Sequence, residues 1–331
     1  MSAAGETGGV RHFPVAPDEA GLRLDRWFAR HFPDVPFGRV ARMARTGQLR
    51  VDGHRAKPGQ RLEAGQSIRV PPFGPAPEAP ARPAAPRPAS ASDARLIAEW
   101  TIYEDQHILV LNKPAGLAVQ GGSGTHRHLD GMLAALAGDG ERPRLVHRLD
   151  RDTSGVLLLA RNAGMAARLG AAFQGRDIAK LYWALTVGVP TPRSGRIDKP
   201  LAKHGGKQGE RVGHDEEDGK RAITEYAVVE AVGRRAAWLD LRPHTGRTHQ
   251  LRVHSAMLGT PIVGDGKYGG KAAFLDGIAG KLHLHARAIS LRHPATGRAL
   301  VVTAPLAGHM AESWAFFGFD QSAAPPLPMV P

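Results

Sequence analysis

The sequence contains no cysteine among its 331 residues. Disulfides, thiolate zinc sites and cysteine nucleophiles are thereby excluded. Long apolar runs are missing too, and no stretch approaches the ~18 residues of a membrane-spanning helix. The opening "MSAAGETGGVRHFPVAPDEA" has no apolar core of the signal-peptide kind, so secretion is not expected and the cytoplasm is the expected compartment. Aromatic residues are few, at 6%, and acids are scarce, with 31 Asp and Glu against 44 Lys and Arg and a net charge of +13. Such a surplus speaks about partners, with nucleic acid first and an anionic membrane second. No amphipathic helix pairs a strong basic face with a large apolar one, which sets the membrane aside.

Hydrophobic residues make up 42% of the chain, enough for a core. "PPFGPAPEAPARPAAPRPASASDAR", residues 71–95, contains eight prolines and eight alanines and divides the sequence. It reads as an extended linker that could reach roughly 75 Å. Before it lies a small module, expected over 21–70. Leu24, Trp27, Phe28 and Phe32 recur at helical spacing and read as its core. "FGRVARMARTG" reads as a second helix stopped at Gly47. Asp52-Gly53 marks a hairpin turn and "GQSIRV" a closing strand. Residues 22–70 hold eleven Lys and Arg against four acids. Arg39, Arg42 and Arg45 share one broad helix face, either simply solvated or meeting RNA phosphates.

The large module is expected over 96–315, followed by a disordered tail over 316–331. Its strands are Ile108–Leu111, Leu145–Val146, Val156–Ala160, "LYWALTVG", "ITEYAVVEAV", "AAWLDLRPHTG" and "KLHLHARAISLRH". "RTHQLRVHSAMLG" is a helix entered through a basic turn. Strands outnumber helices, so the fold class expected is α+β with a mostly antiparallel sheet. Residues 196–222 look like a charged, glycine-rich insertion. The glycines at 121, 122 and 124 give either loop flexibility or close RNA approach, and Lys113-Pro114 either simply shapes a turn or belongs to a block near the site.

"LVHRLDRDTSGVLLLA", residues 145–160, places charge between two apolar strands. A carboxylate at such a strand end lies near low-dielectric surface, and neighbouring arginines favour its ionised form. Asp152 precedes Thr-Ser-Gly and reads as a turn cap. Asp150 has no turn role, which leaves a structural salt bridge or catalysis. Asp265, in "IVGDGKYG", reads first as a turn cap and second as holding a substrate-side loop. His283 and His285 alternate onto one strand face. With His147, His244, His249 and His254 they raise a metal-dependent hydrolase, but no HExxH or compact ligand cluster appears, so no metal is expected.

These residues carry a resemblance. "HRLDRDTSG", "YEDQHILVLNKPAGLAVQGGSGT", "KLYWALTVG", "RPHTGRTHQLRVHSAMLGTPIVGDGKYG" and "LHLHARAISLRHP" resemble, in order, the blocks of the RluA-type pseudouridine synthases. They cover roughly residues 100–305. The small module resembles an S4 RNA-binding domain. The blocks are most like those of family members acting on large-subunit ribosomal RNA. The resemblance implies an isomerase that converts uridine to pseudouridine in 23S rRNA, free or in a pre-ribosomal particle. It implies Asp150 as the essential aspartate, Arg252 as its partner and Tyr182 as the residue stacking on the target base. Leu284 falls on an apolar packing position and Arg148 on an arginine that orders RNA around the flipped base. Arg247 and His249 join Arg148, Arg39, Arg42 and Arg45 as expected RNA contacts. The reaction changes no oxidation state and activates no water, so no cofactor is expected. A monomer is expected. The rival is a non-catalytic RNA binder, which has no reason to keep a carboxylate beside anionic RNA.

Overall fold

A computed structural model describes residues 9–35, 37–72, 90–121, 125, 127–137, 141–175, 177–205, 211–327 and 329. The chain divides into two compact units, residues 1–82 and 83–331. The linker reading falls largely on residues 73–89, outside the described residues, as do Gly122 and Gly124.

The small unit runs β1 (Arg11–Pro14), α1 (Leu24–His31), α2 (Phe37–Arg45), β2 (Arg50–Val51), β3 (His54–Arg55) and β4 (Ser67–Val70). Its sheet has the order β1-β4-β2-β3. Strand β1 precedes the expected start at residue 21 and pairs antiparallel with β4. Leu24, Trp27 and Phe28 are fully buried, as the helical spacing predicts. Asp52 (φ 49°) and Gly53 (φ 78°) both take positive φ, the requirement of a type I′ turn. On α2, Val40, Met43 and Ala44 face the core, while Arg42 and Arg45 are exposed and Arg39 is half-buried.

The large unit begins with α3 (Ala91–Trp100), where the sequence reading placed the linker's end. Ser90 caps it, accepting from the Asp93 N–H, and the Asp93 carboxylate in turn accepts from the Ser90 N–H. That capping box overrides the Ala/Pro composition. Then come β5 (Thr101–Glu104), β6 (Ile108–Lys113), α4 (Leu129–Met132), β7 (Arg144–Leu145), β8 (Ser154–Ala160), α5 (Ala163–Gly175), β9 (Ile178–Val187) and β10 (Ser194–Asp198). They are followed by β11 (Leu201–His204), β12 (Arg211–His214), β13 (Ile223–Val232), β14 (Ala236–Pro243), α6 (Gln250–Met257), β15 (Leu284–Arg292), β16 (Ala299–Thr303) and α7 (His309–Phe317).

Ten strands share one mixed sheet, with the path β10-β13-β14-β9-β15-β8-β6-β5, β16 on β15 and β7 on β8. Among its described pairs only β8–β15 is parallel, through residues 154–155 and 285–286. Every residue of β8 is buried, which explains an apolar run without alternation. Strand β14 does alternate. Leu239 and Leu241 join Leu251 and Leu284 on one face, while Trp238 joins Trp183 and Trp314 on the other. Gly155 sits at φ 105°, and a Cβ there would lie 2.2 Å from the Ala286 carbonyl oxygen. Only glycine lets β8 and β15 meet at this point.

The insertion-like stretch 196–222 contains the hairpin β11–β12, whose Leu201 and Val212 pack with Val253 of α6. Within the stretch expected to be a disordered tail, 316–331, two described residues are buried. Helix α7 stops at Gly318 (φ 70°), and Phe319 and Leu327 bury themselves in the tryptophan cluster. No helix among the described residues is long and apolar enough to cross a membrane.

Asp240, on the tryptophan face of β14, is 2% exposed and neither carboxylate oxygen has a hydrogen-bond partner. Burial pushes its pKa up to about 6, against a smaller opposing pull from Arg242, whose Nη2 is 3.6 Å away. The fold therefore holds this proton more tightly than the unfolded chain. Stability falls as pH rises from about 4 through about 6, by as much as about 3 kcal/mol. Asp240→Asn should raise the melting temperature at about pH 8, with the gain fading toward pH 4. Calorimetry across that range checks it, and a gain independent of pH would contradict the assignment.

Candidate active site

Asp150 lies on the loop between β7 and β8, ahead of the fully buried strand. The loop is fastened on both sides. Leu149 is buried in the core, and the Thr153 N–H donates to the Asp150 carbonyl at 3.2 Å. The Arg151 carbonyl accepts from the Gly116 N–H at 2.9 Å and from Lys113 Nζ at 3.0 Å. Lys113 is fully buried at the end of β6, and its ammonium also reaches the carbonyls of Pro114 and Leu117. Burial lowers its pKa to about 8, while the charges of Asp152 and Asp150 pull it back up. The turn read at Lys113-Pro114 is thus held by the lysine itself. Asp152 does not act as the expected cap. Its carboxylate is half-exposed and pairs with Arg151 Nε at 3.1 Å.

Arg252 reaches the loop from α6. Its Nη1 is 3.6 Å from Asp150 Oδ2, an ion-pair distance too long for a hydrogen bond. Its fork belongs to another residue: Nε donates to Asp265 Oδ2 and Nη2 to Asp265 Oδ1, both at 2.8 Å. The Asp265 side chain is wholly buried. Asp265 also caps a turn, accepting from the Tyr268 N–H at 3.2 Å, the first role read from the sequence. The Tyr268 ring lies 5.1 Å from the Arg252 guanidinium carbon. Arg252 thus leaves Nη1 alone to face Asp150.

His249 enters α6 with φ 54°, a left-handed conformation rare outside glycine. Its Nδ1 is 2.7 Å from the Tyr268 hydroxyl, which accepts from the Val212 N–H at 3.2 Å. The hydrogen bond between Nδ1 and the hydroxyl fixes the ring so that Nε2 is turned to the cavity. That nitrogen lies 3.7 Å from Asp150 Oδ2. Burial lowers the His249 pKa, against the opposing charge of Asp150 and with the help of Arg252. Gln250, next in the chain, is buried and shapes the basic turn. Its Oε1 accepts from the Arg247 N–H and the Thr245 hydroxyl.

These residues border a cavity of about 140 Å³. Asp150, Tyr182, Arg252, Arg148, Arg247, His249 and Leu284 all line it, so the structure gathers them from four regions of the chain. Tyr182 stands on β9, and burial raises its pKa, with the charge of Asp150 adding to the effect. Its phenol keeps its proton. Arg148 and Arg247 are exposed at the rim. Arg39, Arg42 and Arg45 lie in the small unit. The histidine pair is structural. His283 meets Ser313 Oγ and the Lys281 carbonyl, and His285 meets Ser154 Oγ and the Ala304 carbonyl. Sequence reasoning missed Tyr268 and Lys180. Lys180 stands two residues before Tyr182 on the same strand, and that spacing was the available signal.

One carboxylate ringed by cations in a concave site, with a half-buried tyrosine beside it, suits an enzyme acting on a polyanion. Residues 107–257 match the family described as RNA pseudouridylate synthase. The ribosomal large subunit pseudouridine synthase C of Salmonella typhimurium is 37% identical over 306 residues, spanning 91% of this chain and 94% of that one. Its counterpart from Vibrio cholerae is 36% identical over 310 residues, spanning 92% and 96%. Among solved structures, human RNA pseudouridylate synthase domain containing 4 superposes with a TM-score of 0.56 at 29% identity, covering 67% of this chain and 94% of that one. The chain belongs to the RNA pseudouridine synthase family.

Asp265→Asn should leave the Arg252 guanidinium without its buried counter-charge and destabilise the large unit by about 3 kcal/mol. Denaturant unfolding of the variant checks this. A loss below about 0.5 kcal/mol would make the fork incidental.

Proposed function

We propose that this protein isomerises specific uridines of large-subunit ribosomal RNA to pseudouridine, with Asp150 as the catalytic group. The observation that carries the reading is the Asp150 carboxylate, fixed by its loop and facing Arg252 Nη1 in the cavity that Tyr182 lines. The identity to named large-subunit synthases over nine-tenths of the chain supports the substrate.

The target uridine leaves its stack and enters the cavity. Tyr182 stacks on the extruded ring, worth roughly 1–3 kcal/mol. Asp150 then acts on the ribose, either by attack at C1′ or by removing the C2′ hydrogen. Both routes release uracil from C1′ with its bonding electrons on the ring. The ring turns within the cavity and C5 bonds to C1′, displacing the Asp150 carboxylate on the first route or letting C2′ regain its hydrogen from Asp150 on the second; the C5 proton then departs and N1 takes one up. Oxidation state is unchanged, so the chemistry calls for no electron carrier. Arg252 neutralises part of the charge on Asp150 without taking a hydrogen bond that its reaction needs. His249 turns Nε2 to the same side. Arg148 and Arg247 stand at the rim, where the RNA backbone must pass, and the α2 face with Arg39, Arg42 and Arg45 supplies phosphate contacts from the small unit. The protein works as a monomer in the cytoplasm, on rRNA free or within an assembling particle.

Forming the C5–C1′ bond expels the C5 hydrogen, so tritium release from [5-³H]uridine-labelled rRNA transcript reads the reaction. Asp150→Asn should lower the rate by about 10³-fold or more and leave RNA affinity within about twofold. Isomerisation near the wild-type rate would remove Asp150 from the catalytic role.

A further inference from the structure

Lys180 and Tyr182 are two residues apart on β9, so their side chains stand on the same face. Lys180 lines the cavity that holds Asp150, and it also lines a second cavity of about 510 Å³. The two cavities share Arg148, Lys180, Tyr182, Thr245, Gly246 and Arg247 along one common wall. The second is completed mainly by His147, Phe173, Gln174 and His244. No carboxylate lines it, while Arg148, Lys180 and Arg247 do.

Lys180 is the innermost of these cations. Arg148 and Arg247 are exposed, whereas Lys180 is half-buried with no hydrogen bond or ion pair among the described residues. Its neighbour His147 offers no negative charge. The His147 Nε2 accepts from the Leu158 N–H at 2.8 Å, and its ring stacks on Phe173 at 4.6 Å. Burial and the Lys180 charge lower the His147 pKa to about 3, which keeps the ring neutral. Burial also lowers the Lys180 pKa, with no acid nearby to oppose the shift. An ammonium held this way in the free protein destabilises the fold unless a ligand completes it. A concave wall with three cations concentrates positive potential there. The ligand that fits is an anion with several acceptor oxygens.

We propose that this second cavity is a phosphate subsite, in which Lys180, flanked by Arg148 and Arg247, holds the backbone phosphate of a nucleotide adjoining the target uridine. The inference rests on the proposed RNA-isomerising function. It makes Lys180 a positioning residue: holding the backbone at the cavity junction sets the extruded base against Tyr182.

The test uses the full chain as wild type, Lys180→Met and Lys180→Arg, with unmodified large-subunit rRNA transcript labelled at C5 with tritium. Rates are taken across roughly 50–200 mM salt. Each phosphate contact to single-stranded RNA contributes a log–log salt slope of about −0.7. Lys180→Met should make the slope of kcat/KM shallower by about that amount. Its KM should rise about tenfold, with kcat within about twofold and the melting temperature not lowered. Lys180→Arg should keep the wild-type slope. An unchanged slope and KM in Lys180→Met overturns the proposal. So does a loss confined to kcat, which would put the lysine on the reacting atoms. A Lys180→Met protein that no longer folds overturns it as well, because the charge would then serve the fold. If wild type releases no tritium, the isomerase reading fails by itself. The subsite is then judged on filter binding of the same RNA, where the same change of slope is expected.

Discussion

The bidentate pair between Arg252 and Asp265 is the constraint on which the site depends. A guanidinium that shared its fork with Asp150 would tie up both oxygens of the group that must react. Asp265 takes that fork instead, wholly buried and with both bonds at 2.8 Å. What remains for Asp150 is one Nη1 at 3.6 Å: charge without a committed hydrogen bond. Tyr268 extends the arrangement. It lies against the Arg252 guanidinium and shares a hydrogen bond with His249 Nδ1, which leaves Nε2 facing the same carboxylate at 3.7 Å. Removing Asp265 would release three residues at once, not one.

The sheet exists to hold that geometry still. Asp150 precedes a strand buried along its whole length, and Arg252 rides on a helix packed over β9 and β14 through Leu251. In the large sheet the β8-β6-β5 side is joined to the β15 side through the short parallel pairing of β8 with β15, where Gly155 permits the close approach. Lys113 ties the carbonyl of Arg151 to the end of β6, one residue from Asp150. Side chains from β9, β14, β15, α6, the β7–β8 loop and the turn before α6 thereby share a small cavity.

Much of this was legible in the sequence, and the rest has identifiable reasons. Strand β8 follows from its unbroken apolar run, β9, β13 and β14 from their apolar and β-branched segments, and the hairpin of the small unit from Asp52-Gly53. The resemblance of "HRLDRDTSG" and "THQLRVH" implied Asp150 and Arg252, and both line one cavity. The first partner of Arg252 was not legible, because Asp265 lies 13 residues away inside a Gly-Asp-Gly stretch that reads as a turn. Composition misled at two places. Alanine and proline hid α3, although Ser90 and Asp93 spell a capping box. Prolines near the C-terminal end suggested disorder, yet Phe319 and Leu327 complete the cluster around Trp238. Lys180 was passed over because one lysine in a strand says nothing of charge balance until its neighbours are known.

The central claim is that this site converts uridines of large-subunit rRNA through Asp150. The most direct measurement maps pseudouridines in rRNA from cells lacking the protein, by carbodiimide-dependent stops of reverse transcription, with rescue by wild type or Asp150→Asn. The account predicts that specific stops in the large-subunit rRNA disappear and return only with wild type. An unchanged map, or full restoration by Asp150→Asn, would contradict it.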